Sequence, residues 1–327
     1  MKAIIWTRYG VPDGLELREI EKPSPRDDEV LIKIYASTVT AGDCEVRSLK
    51  LNFFLRLSMR IYIGFFKPKR IPILGQELSG VVEAVGKDVN NFKKGDQVFA
   101  QTDFNMGAYA EYICMQEKSE ESLLALKPEN MTFEEAATVP LGGLESLYFL
   151  RKAKIKPGEK VLINGCGGSI GTYGLQIAKN FGAQVTAVDS GAKLDMLLKL
   201  GANDVIDYTK QDFTLNGQTY DVIFDVVGKS DFSRSVAMLN EHGRYLIANP
   251  NLVSLIRAQS VNKKTNKEVV NGVSTRSMDN FLHLKECIEA GKLRSIIDRI
   301  YPLEETAKAH QYVESGQKKG NVVIKII

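Results

Sequence analysis

The sequence predicts an α/β protein that combines a doubly wound parallel sheet with a second, β-rich region. From about residue 160, apolar strand-like runs alternate with helical patterns, which is typical of a parallel sheet covered by helices. Between residues 1 and 115, short strand-like runs are separated by glycines, which is typical of a compact β domain with barrel-like curvature. The chain has 327 residues, which suggests two domains at roughly 100–200 residues each.

The glycine-rich turn at residues 165–171 is the strongest local signal. A short apolar run, Val161–Ile163, precedes it, a helical pattern follows over 172–181, and a second apolar run, Val185–Val188, ends at Asp189. The acid lies 18 positions after the last glycine of the turn, close to the spacing of a dinucleotide site. The free N–H groups and positive dipole end of a helix favour a pyrophosphate at such a turn. Glycine turns also join strands to helices for purely structural reasons, and that alternative stays open.

Three glycines of this turn have separate predicted roles. Gly165 would allow the turn itself, Gly168 the close approach of a pyrophosphate and Gly171 the packing of helix against strand. Cys166 could be reactive so near a helix N-terminus. A small residue that tolerates close packing is the simpler interpretation.

The composition excludes several classes of protein. Hydrophobic residues make up 44% and charged residues 25% of the chain, so it can bury a substantial core and is not disordered. A net charge of +3 with a pI near 8.5 is too mild to indicate nucleic-acid binding. No apolar run approaches the ~18 residues of a membrane span, and the N-terminus enters a strand-like run without a signal-peptide hydrophobic region.

The cysteines indicate a reducing compartment. The closest two are 52 positions apart and there is no C-x-x-C motif, so a clustered structural zinc site is not expected. Nothing suggests a disulfide framework. We therefore expect a cytoplasmic protein. The four cysteines are Cys44, Cys114, Cys166 and Cys287.

Basic and aromatic residues are concentrated in the segment 46–70. This mixture predicts an amphipathic helix or lid over a substrate pocket, a weak contact with a membrane surface, or a solvated face with ordinary core anchors. The sequence leaves these interpretations open. The residues concerned are Arg47, Lys50, Arg56, Arg60, Lys67, Lys69 and Arg70, among Phe53, Phe54, Tyr62, Phe65 and Phe66.

The remaining pattern places further candidates. Ligands bind at the carboxyl ends of parallel strands, so Val227-Gly228 and Asn249-Pro250, which end two predicted strands, are expected to contact a cofactor. Glu77, between a tight turn and a strand, either orients a site or is an ordinary solvated or ion-paired glutamate. The stretch 251–276 is polar and hard to read beyond an edge strand at 269–273. The C-terminal part predicts helix 278–290, strand 298–301, helix 303–315 and strand 321–326.

These motifs together resemble the medium-chain dehydrogenase/reductase superfamily, and most of all its zinc-free quinone and enone reductases. The resemblance covers nearly the whole chain. It implies a GroES-like, β-rich catalytic domain made from both chain ends, 1–123 and 275–327, with a Rossmann dinucleotide-binding domain, 124–274, inserted between them. The residues that carry the resemblance are Asp43, Gly75–Gly86, Gly95–Phe99, Ala136–Pro140, Lys156–Gly165, Gly168–Gly171, Leu200–Ala202, Val205–Tyr208, Asp225–Gly228 and Lys319–Val323.

Departures from the zinc-dependent relatives predict that no metal is bound. Those relatives carry a cysteine where this chain has Thr40-Ala41 and a histidine where it has Gln76; a third ligand is expected near 142–145, where this chain has neither residue type. Zinc strongly prefers cysteine and histidine. The three histidines, which we expect on surface-like helices or turns, are His242, His283 and His310.

The resemblance implies reduction of quinones or activated alkenes with NADPH. Without zinc nothing strongly polarises an alcohol or a simple ketone, whereas quinones and α,β-unsaturated carbonyls accept hydride at a position conjugated to the carbonyl. Asp43 matches the family residue beside the nicotinamide. Tyr62 is a candidate proton donor, because some enoyl reductases of this superfamily use a tyrosine there, although a packing role is the simpler interpretation.

NAD and NADP both remain open, with NADP preferred. Asp189 would hydrogen-bond a ribose 2′-OH and repel a 2′-phosphate, which favours NAD. Ser190 and Lys193 instead resemble the loop that many NADPH-using relatives place around that phosphate, and Tyr208 matches a family adenosine contact. The complete set of predicted cofactor residues is Thr138, Gly165, Gly167, Gly168, Ser169, Ile170, Asp189, Ser190, Lys193, Tyr208, Val227, Gly228, Asn249, Pro250 and Asn321.

Two other functions fit the same motifs. One is reduction of 2-enoyl thioesters, which would require a deep channel and a functional Tyr62. The other is a non-catalytic NADPH-binding protein. The resemblance also implies a homodimer formed by edge pairing of the cofactor-domain sheets.

Overall fold

The computed structural model describes residues 1–50, 53–250, 252–272 and 274–327, with the side chains of 53–55 left aside. The chain forms two compact units. The β-rich unit comprises Met1–Leu141, Arg276–Glu289 and Ser295–Ile327, and the parallel-sheet unit comprises Gly142–Thr275 and Ala290–Arg294.

The units and the predicted domains divide the chain at different residues. Residues 124–141 belong to the β-rich unit, because the strand Leu123–Leu126 pairs with Gln97–Gln101. Ala290–Arg294 belongs to the parallel-sheet unit, where Gln176 bonds both the backbone N–H and the carbonyl of Arg294.

The β-rich unit is built on an antiparallel sheet with a parallel pair at one edge. Its order is β14-β15-β3-β4-β5-β7, with β6 also paired to β3, and β1 and β2 form a separate ribbon. Its strands are β1 Lys2–Trp6, β2 Leu15–Glu19, β3 Glu29–Thr38, β4 Glu77–Val85, β5 Gln97–Gln101, β6 Tyr112–Gln116, β7 Leu123–Leu126, β14 Ile297–Pro302 and β15 Asn321–Lys325. Its helices are α1 Ala41–Ser48, α2 Phe53–Ile63, α3 Phe133–Ala136, α9 Met278–Glu289 and α10 Thr306–Glu314.

Two apolar clusters fill the β-rich unit. Alternate residues of β3, including Val30, Ile32 and Ile34, pack with Leu78 and Val98 of the neighbouring strands, as a half-buried strand with period-two patterning should. The second cluster lies around Trp6 of the β1–β2 ribbon and includes Leu74, Tyr109 and Val313.

The parallel-sheet unit has the strand order expected of a doubly wound dinucleotide-binding fold. The order β10-β9-β8-β11-β12-β13 is parallel throughout and corresponds to 3-2-1-4-5-6 counted within the unit. This confirms the predicted fold class. Its strands are β8 Lys160–Asn164, β9 Gln184–Asp189, β10 Asp204–Asp207, β11 Tyr220–Asp225, β12 Leu239–Ile247 and β13 Glu268–Asn271. The helices are α4 Val139–Ala153, of which the residues from Gly142 on belong to this unit, α5 Ser169–Asn180, α6 Leu194–Lys199, α7 Phe232–Ala237 and α8 Leu252–Lys264.

The stretch 251–276 contains a helix that the sequence pattern did not reveal. Ser254 and Ala258 of α8 are buried, and Val261 packs half-buried against the core of the unit. The larger apolar residues Leu252, Val253 and Ile256 are exposed. Such a helix lacks the apolar stripe by which helices are recognised. The predicted edge strand is confirmed as β13 up to Asn271; residue 273 lies outside the described residues.

The prediction that all three histidines lie at the surface is wrong for His310. The face of α10 that carries Ala309, His310 and Val313 is buried, and the His310 Nδ1 lies 3.3 Å from the Cys44 Sγ. Burial lowers the pKa of His310 to about 3, so this histidine is neutral at pH 7. Polar residues elsewhere on the helix hid this buried face from the sequence pattern.

Among the helices of the described residues, none has the length and hydropathy required to cross a membrane.

Candidate functional site

The glycine turn between β8 and α5 has an open helix N-terminus. Gly165 has φ +82°, a left-handed conformation that favours glycine. A Cβ at Gly171 would collide with the backbone of residues 165 and 166, whereas one at Gly168 would meet nothing nearer than 3.7 Å. Gly168 is the N-cap of α5 and caps it with no side chain. The N–H groups of residues 165–168 are bonded within the protein, so it is the N-terminus of α5, beside open space at Gly168, that can face an anionic ligand.

Asp189, at the end of β9, turns back into this glycine turn. Its Oδ2 accepts the Gly167 N–H at 2.7 Å, and its Oδ1 accepts the Ser190 N–H at 2.8 Å. The Lys193 Nζ lies 2.9 Å from Oδ1, and both side chains of this ion pair are buried. The charge of Asp189 is thus balanced within the protein.

The loop after β9 and the end of β10 lie close together. A Cβ at Gly191 would meet the Asp207 Oδ2 at 2.5 Å, and Tyr208, which directly follows β10, is 56% exposed. The half-buried Ser190 begins this loop. Ser190 and Lys193 follow the end of β9, and Tyr208 follows the end of the neighbouring β10 and donates its N–H to the Asp189 carbonyl at 3.2 Å. Their roles at the adenosine end of a dinucleotide remain a prediction.

The carboxyl ends of β11 and β12 bring the next predicted residues together. The Asn249 Nδ2 donates to the Val226 carbonyl at 2.9 Å, and a Cβ at Gly228 would collide with the Asn249 carbonyl. The Gly228 N–H donates to the Asp225 Oδ1 at 2.9 Å. Val227 remains 42% exposed, and Pro250 follows Asn249 directly.

Asp43 lies in a buried polar cluster of the β-rich unit. Thr40 and Asp43 form a capping box at the start of α1: the Thr40 N–H and Oγ1 donate to the Asp43 Oδ2 at 2.9 and 2.7 Å. The Gln76 Nε2 donates to the Asp43 Oδ1 at 3.3 Å and to the Thr40 Oγ1 at 3.4 Å. Burial raises the pKa of the Asp43 carboxyl, against the hydrogen bonds from Thr40 and Gln76 that lower it. Asp43 has no exposed surface, and Gln76 is the half-buried member of the cluster.

Glu77 is buried beside this cluster and is not a solvated glutamate. It accepts a short hydrogen bond from the Thr38 hydroxyl, and its Oε2 accepts the Leu141 N–H at 2.8 Å. Burial raises its pKa to about 7, with a smaller contribution from the Asp43 charge. This environment stabilises the protonated form of Glu77 up to neutral pH.

Thr138 and Asn321 are fixed to one short segment of the β-rich unit. The Thr138 Oγ1 lies 2.7 Å from the Ser295 Oγ, and the Asn321 Nδ2 donates to the Ile296 carbonyl at 3.1 Å. Both predicted residues are buried.

Tyr62 lies near the end of the helix α2. Its ring is 42% exposed and stacks against the Arg70 guanidinium, 4.1 Å from the ring centroid.

The positions of the zinc ligands of zinc-dependent relatives carry other chemistry. Thr40 and Gln76 offer a hydroxyl and a carboxamide that bond to each other and to Asp43. Within the part of the chain that the structure describes, no group of three or more His, Cys, Asp or Glu side chains is arranged to hold a metal ion. The hydroxyl of Thr40 and the carboxamide of Gln76 are not among the ligands that zinc prefers, which are cysteine and histidine.

Sequence reasoning missed the partners of Asp43. The spacing Thr40-x-x-Asp43 is a capping-box pattern and could have revealed Thr40. Tyr109, whose hydroxyl donates to the Thr38 carbonyl at 3.1 Å, carries no local signal, because it reaches the cluster from a distant part of the chain.

Comparison with known proteins identifies the family. Residues 26–128 match the alcohol dehydrogenase GroES-like domain family and residues 200–324 match the zinc-binding dehydrogenase family. The chain is 32% identical to a 2-methylene-furan-3-one reductase of Solanum lycopersicum, over 99% of this chain and 79% of that protein. It is also 32% identical, with the same coverage, to an NADPH-dependent alkenal/one oxidoreductase of Arabidopsis thaliana, described as chloroplastic.

A solved structure agrees over the whole chain. The quinone oxidoreductase from Coxiella burnetii has a TM-score of 0.87 and 29% identity, covering 100% of this chain and 99% of that one. With the doubly wound sheet, the β-rich unit and the glycine turn already described, these likenesses show that the chain belongs to the medium-chain dehydrogenase/reductase superfamily, in its quinone and enone oxidoreductase branch.

Proposed function

We propose that this protein is a zinc-independent oxidoreductase that transfers a hydride from NADPH to a quinone or an α,β-unsaturated carbonyl. The observation that carries the proposal is the hydrogen-bonded cluster of Thr40, Asp43 and Gln76. The resemblance implies that Thr40 and Gln76 stand where zinc-dependent relatives carry metal ligands. A neutral amide and hydroxyl cannot act as a strong Lewis acid, so the acceptor has to be activated by its own conjugation. The names of the relatives from Solanum lycopersicum and Arabidopsis thaliana, an enone and an alkenal reductase, support this class of acceptor.

The glycine turn is the proposed pyrophosphate site. Gly165, Gly167 and Gly168 let the chain turn into α5 without side chains, and the first N–H groups of Ser169 and Ile170 would hold the anion. Val227, Gly228, Asn249 and Pro250 would line the neighbouring strand ends. In the β-rich unit, Thr138 and Asn321 are the further proposed contacts.

NADP is the proposed cofactor rather than NAD. Both oxygens of Asp189 accept backbone N–H groups, and Lys193 neutralises the carboxylate. Asp189 therefore has less acceptor capacity left for a ribose 2′-OH and repels a 2′-phosphate less than an unpaired acid would. Lys193 has three N–H donors, and Ser190 and Tyr208 lie beside it on the same sheet edge. NAD is the alternative.

The residues of the chain orient the reactants and leave the proton to solvent. When bound, NADPH supplies the hydride from its nicotinamide ring. We propose that Gln76, held by Asp43 and Thr40, faces the reactants and positions them, since Asp43 itself is fully buried. Asp43 is then a positioning residue that fixes the Gln76 amide, and a proton from water completes the reduction of the acceptor.

A second candidate function is reduction of 2-enoyl thioesters. The observation that favours it is the partial exposure of the Tyr62 ring, which leaves its hydroxyl able to donate a proton. A non-catalytic NADPH-binding protein is the remaining alternative.

The oligomeric state and location are also proposals. In the sheet order β13 has one neighbour, β12, and such an edge strand can pair with its equivalent in a second copy. We propose a cytoplasmic homodimer joined in this way, which sedimentation at several protein concentrations would test.

The deciding experiment is oxidation of NADPH and of NADH by the purified protein after treatment with EDTA. The acceptors are 9,10-phenanthrenequinone, 1,4-benzoquinone and a 2-alkenal, and a simple alcohol with NADP⁺ is the control. We expect turnover of quinone or alkenal that the chelator leaves unchanged, with NADPH preferred. Alcohol oxidation that the chelator abolishes would overturn the proposal, and tight NADPH binding without turnover of any acceptor would favour the binding-protein alternative.

A further inference from the structure

The segment 56–70 exposes apolar side chains, and the charged residues among them are all basic. Ile61 is 69% exposed and Phe66 is 89% exposed, with Leu57 and Phe65 also classed as exposed. Large apolar side chains that are exposed together mark a surface that binds another protein or a membrane. No Asp or Glu occurs between Glu45 and Glu77.

The tip of this segment, residues 64–70, is fixed by hydrogen bonds to the rest of the unit. The helix α2 ends at the buried Ile63, whose carbonyl accepts the N–H groups of Lys69 and Arg70 at 3.0 Å. Between them the chain reverses at Gly64, where φ is +144° and a Cβ would collide with the Lys67 carbonyl. The Tyr9 hydroxyl donates to the Gly64 carbonyl at 2.6 Å. Both ends of the loop are thus anchored, and Phe65 and Phe66 project from its tip.

Exposed basic side chains precede and follow this aromatic tip along the chain. Arg56, Lys67, Lys69 and Arg70 are exposed, and no ion pair joins any of them to a carboxylate among the residues that the structure describes. Lysine and arginine next to exposed aromatic and aliphatic residues are the features of helices and loops that lie in a membrane interface. Their charges complement the negative surface of an anionic bilayer.

We infer that the segment 56–70 docks the protein on the surface of an anionic lipid bilayer. Phe65, Phe66 and Ile61 enter the headgroup region, and Arg56, Lys67 and Lys69 contact lipid phosphates. Docking would bring the enzyme to quinones and alkenals dissolved in the bilayer. This last consequence, but not the docking itself, rests on the proposed function.

The test is flotation of the full-length protein with two kinds of vesicle, phosphatidylcholine alone and phosphatidylcholine mixed with phosphatidylglycerol. We expect binding to the anionic vesicles alone, weakening as salt is raised because the charges are screened. Lys67→Glu/Lys69→Glu should weaken binding on the order of 100-fold. Phe65→Ser/Phe66→Ser should weaken it roughly tenfold or more.

Matched controls show whether weaker binding is specific to this surface or follows from any loss of positive charge or of an exposed apolar side chain. Lys93→Glu/Lys94→Glu reverses two adjacent exposed lysines of the same unit, and Leu215→Ser removes another side chain that is 69% exposed. Both should bind vesicles as the unaltered protein does. Failure of the unaltered protein to bind anionic vesicles, or equal binding by the segment variants and the controls, would overturn the inference.

Turnover of a water-soluble quinone without vesicles distinguishes docking from a lid. Docking predicts that Phe65→Ser/Phe66→Ser leaves this turnover unchanged. Loss of that turnover, with no vesicle binding by the unaltered protein, would show instead that the segment covers the substrate. The same assay tests the proposed function independently, because vesicle binding requires no turnover.

Discussion

Asp43 in the β-rich unit and Asp189 in the parallel-sheet unit are both buried carboxylates, and their partners differ. Asp43 is surrounded by the neutral groups of Thr40 and Gln76. Asp189 is bonded to two backbone N–H groups and a lysine. In the proposed function Asp43 orients the Gln76 amide, whereas Lys193 cancels the charge of Asp189, the acid that the sequence predicts beside a ribose. The same residue type can position a reactant or set a cofactor preference, depending on whether a cation lies beside it.

Removing the cation beside Asp189 should have the largest effect. Lys193→Ala leaves a buried carboxylate without its counter-charge, and we expect a loss of about 3–5 kcal/mol in the free energy of unfolding. NADPH binding should weaken much more than NADH binding. Urea denaturation and fluorescence titration with both cofactors measure the two effects.

The matched change in the other unit is Asp43→Asn. Its partners are neutral, so we expect a loss of only about 1 kcal/mol, together with slower quinone turnover. Equal losses of stability for the two variants would contradict the distinction between these carboxylates.

The pH dependence of stability tests the environment of Glu77, which lies beside the Asp43 cluster in the β-rich unit. The pKa of Glu77 is raised to about 7 in the folded protein, so its contribution to stability is fully present below the ordinary glutamate pKa and is lost as the pH rises toward 7. The loss is at most about 3 kcal/mol at ~1.36 kcal/mol per pKa unit. In Glu77→Gln, whose amide can serve both Thr38 and the Leu141 N–H, this part of the slope should disappear. Urea midpoints between pH 5 and 8 measure it, and an unchanged slope would show that Glu77 is ionised throughout.

Replacing the glycine beside each aspartate with alanine tests how much room the two sites have for an added Cβ. A Cβ at Gly167 would meet the Lys193 Cδ at 2.5 Å and the Asp189 Oδ2 at 2.9 Å, so Gly167→Ala should cost about 1–3 kcal/mol. A Cβ at Gly42 would meet only side-chain atoms, the nearest being the Gln76 Nε2 at 3.1 Å. We expect Gly42→Ala to be close to neutral in stability, and chemical denaturation of both variants checks this. A greater cost at Gly42 would reverse the ranking of the two sites.

The smallest expected effect is at Tyr62. Tyr62→Phe keeps the ring over Arg70 and should change stability by less than about 0.5 kcal/mol and leave quinone turnover unaltered. Steady-state kinetics with quinone and with an enoyl thioester provide the check. A selective loss with the thioester would move the assignment to the second candidate function.

The parallel-sheet unit was the more predictable half. Its glycine turn, strand ends and acid lie within a short stretch of chain, so local spacing brings Gly165, Gly168 and Asp189 together. The rotation of Asp189 into the turn was not predictable, because a residue's position on a strand does not fix which local donors its side chain meets.

The Asp43 cluster was predictable only in part. Thr40 and Asp43 are neighbours on α1, but Gln76 and Tyr109 come from distant segments, and only the folded sheet shows that they meet. The burial of His310 and the helix α8 escaped prediction for a related reason. On their buried faces, polar or small residues such as His310 and Ser254 take positions where the sequence pattern requires large apolar ones.

The position of Cys166 has a consequence for chemical durability. Quinones and enones are electrophiles that add to thiolates, so an enzyme that handles them exposes its own cysteines to alkylation. Cys166 sits within the proposed pyrophosphate turn, yet it is fully buried and burial raises the pKa of its thiol well above the ordinary value. Cys166 therefore stays a neutral thiol, which electrophiles attack far more slowly than a thiolate. This protects the proposed pyrophosphate turn, where a covalent adduct would block the cofactor.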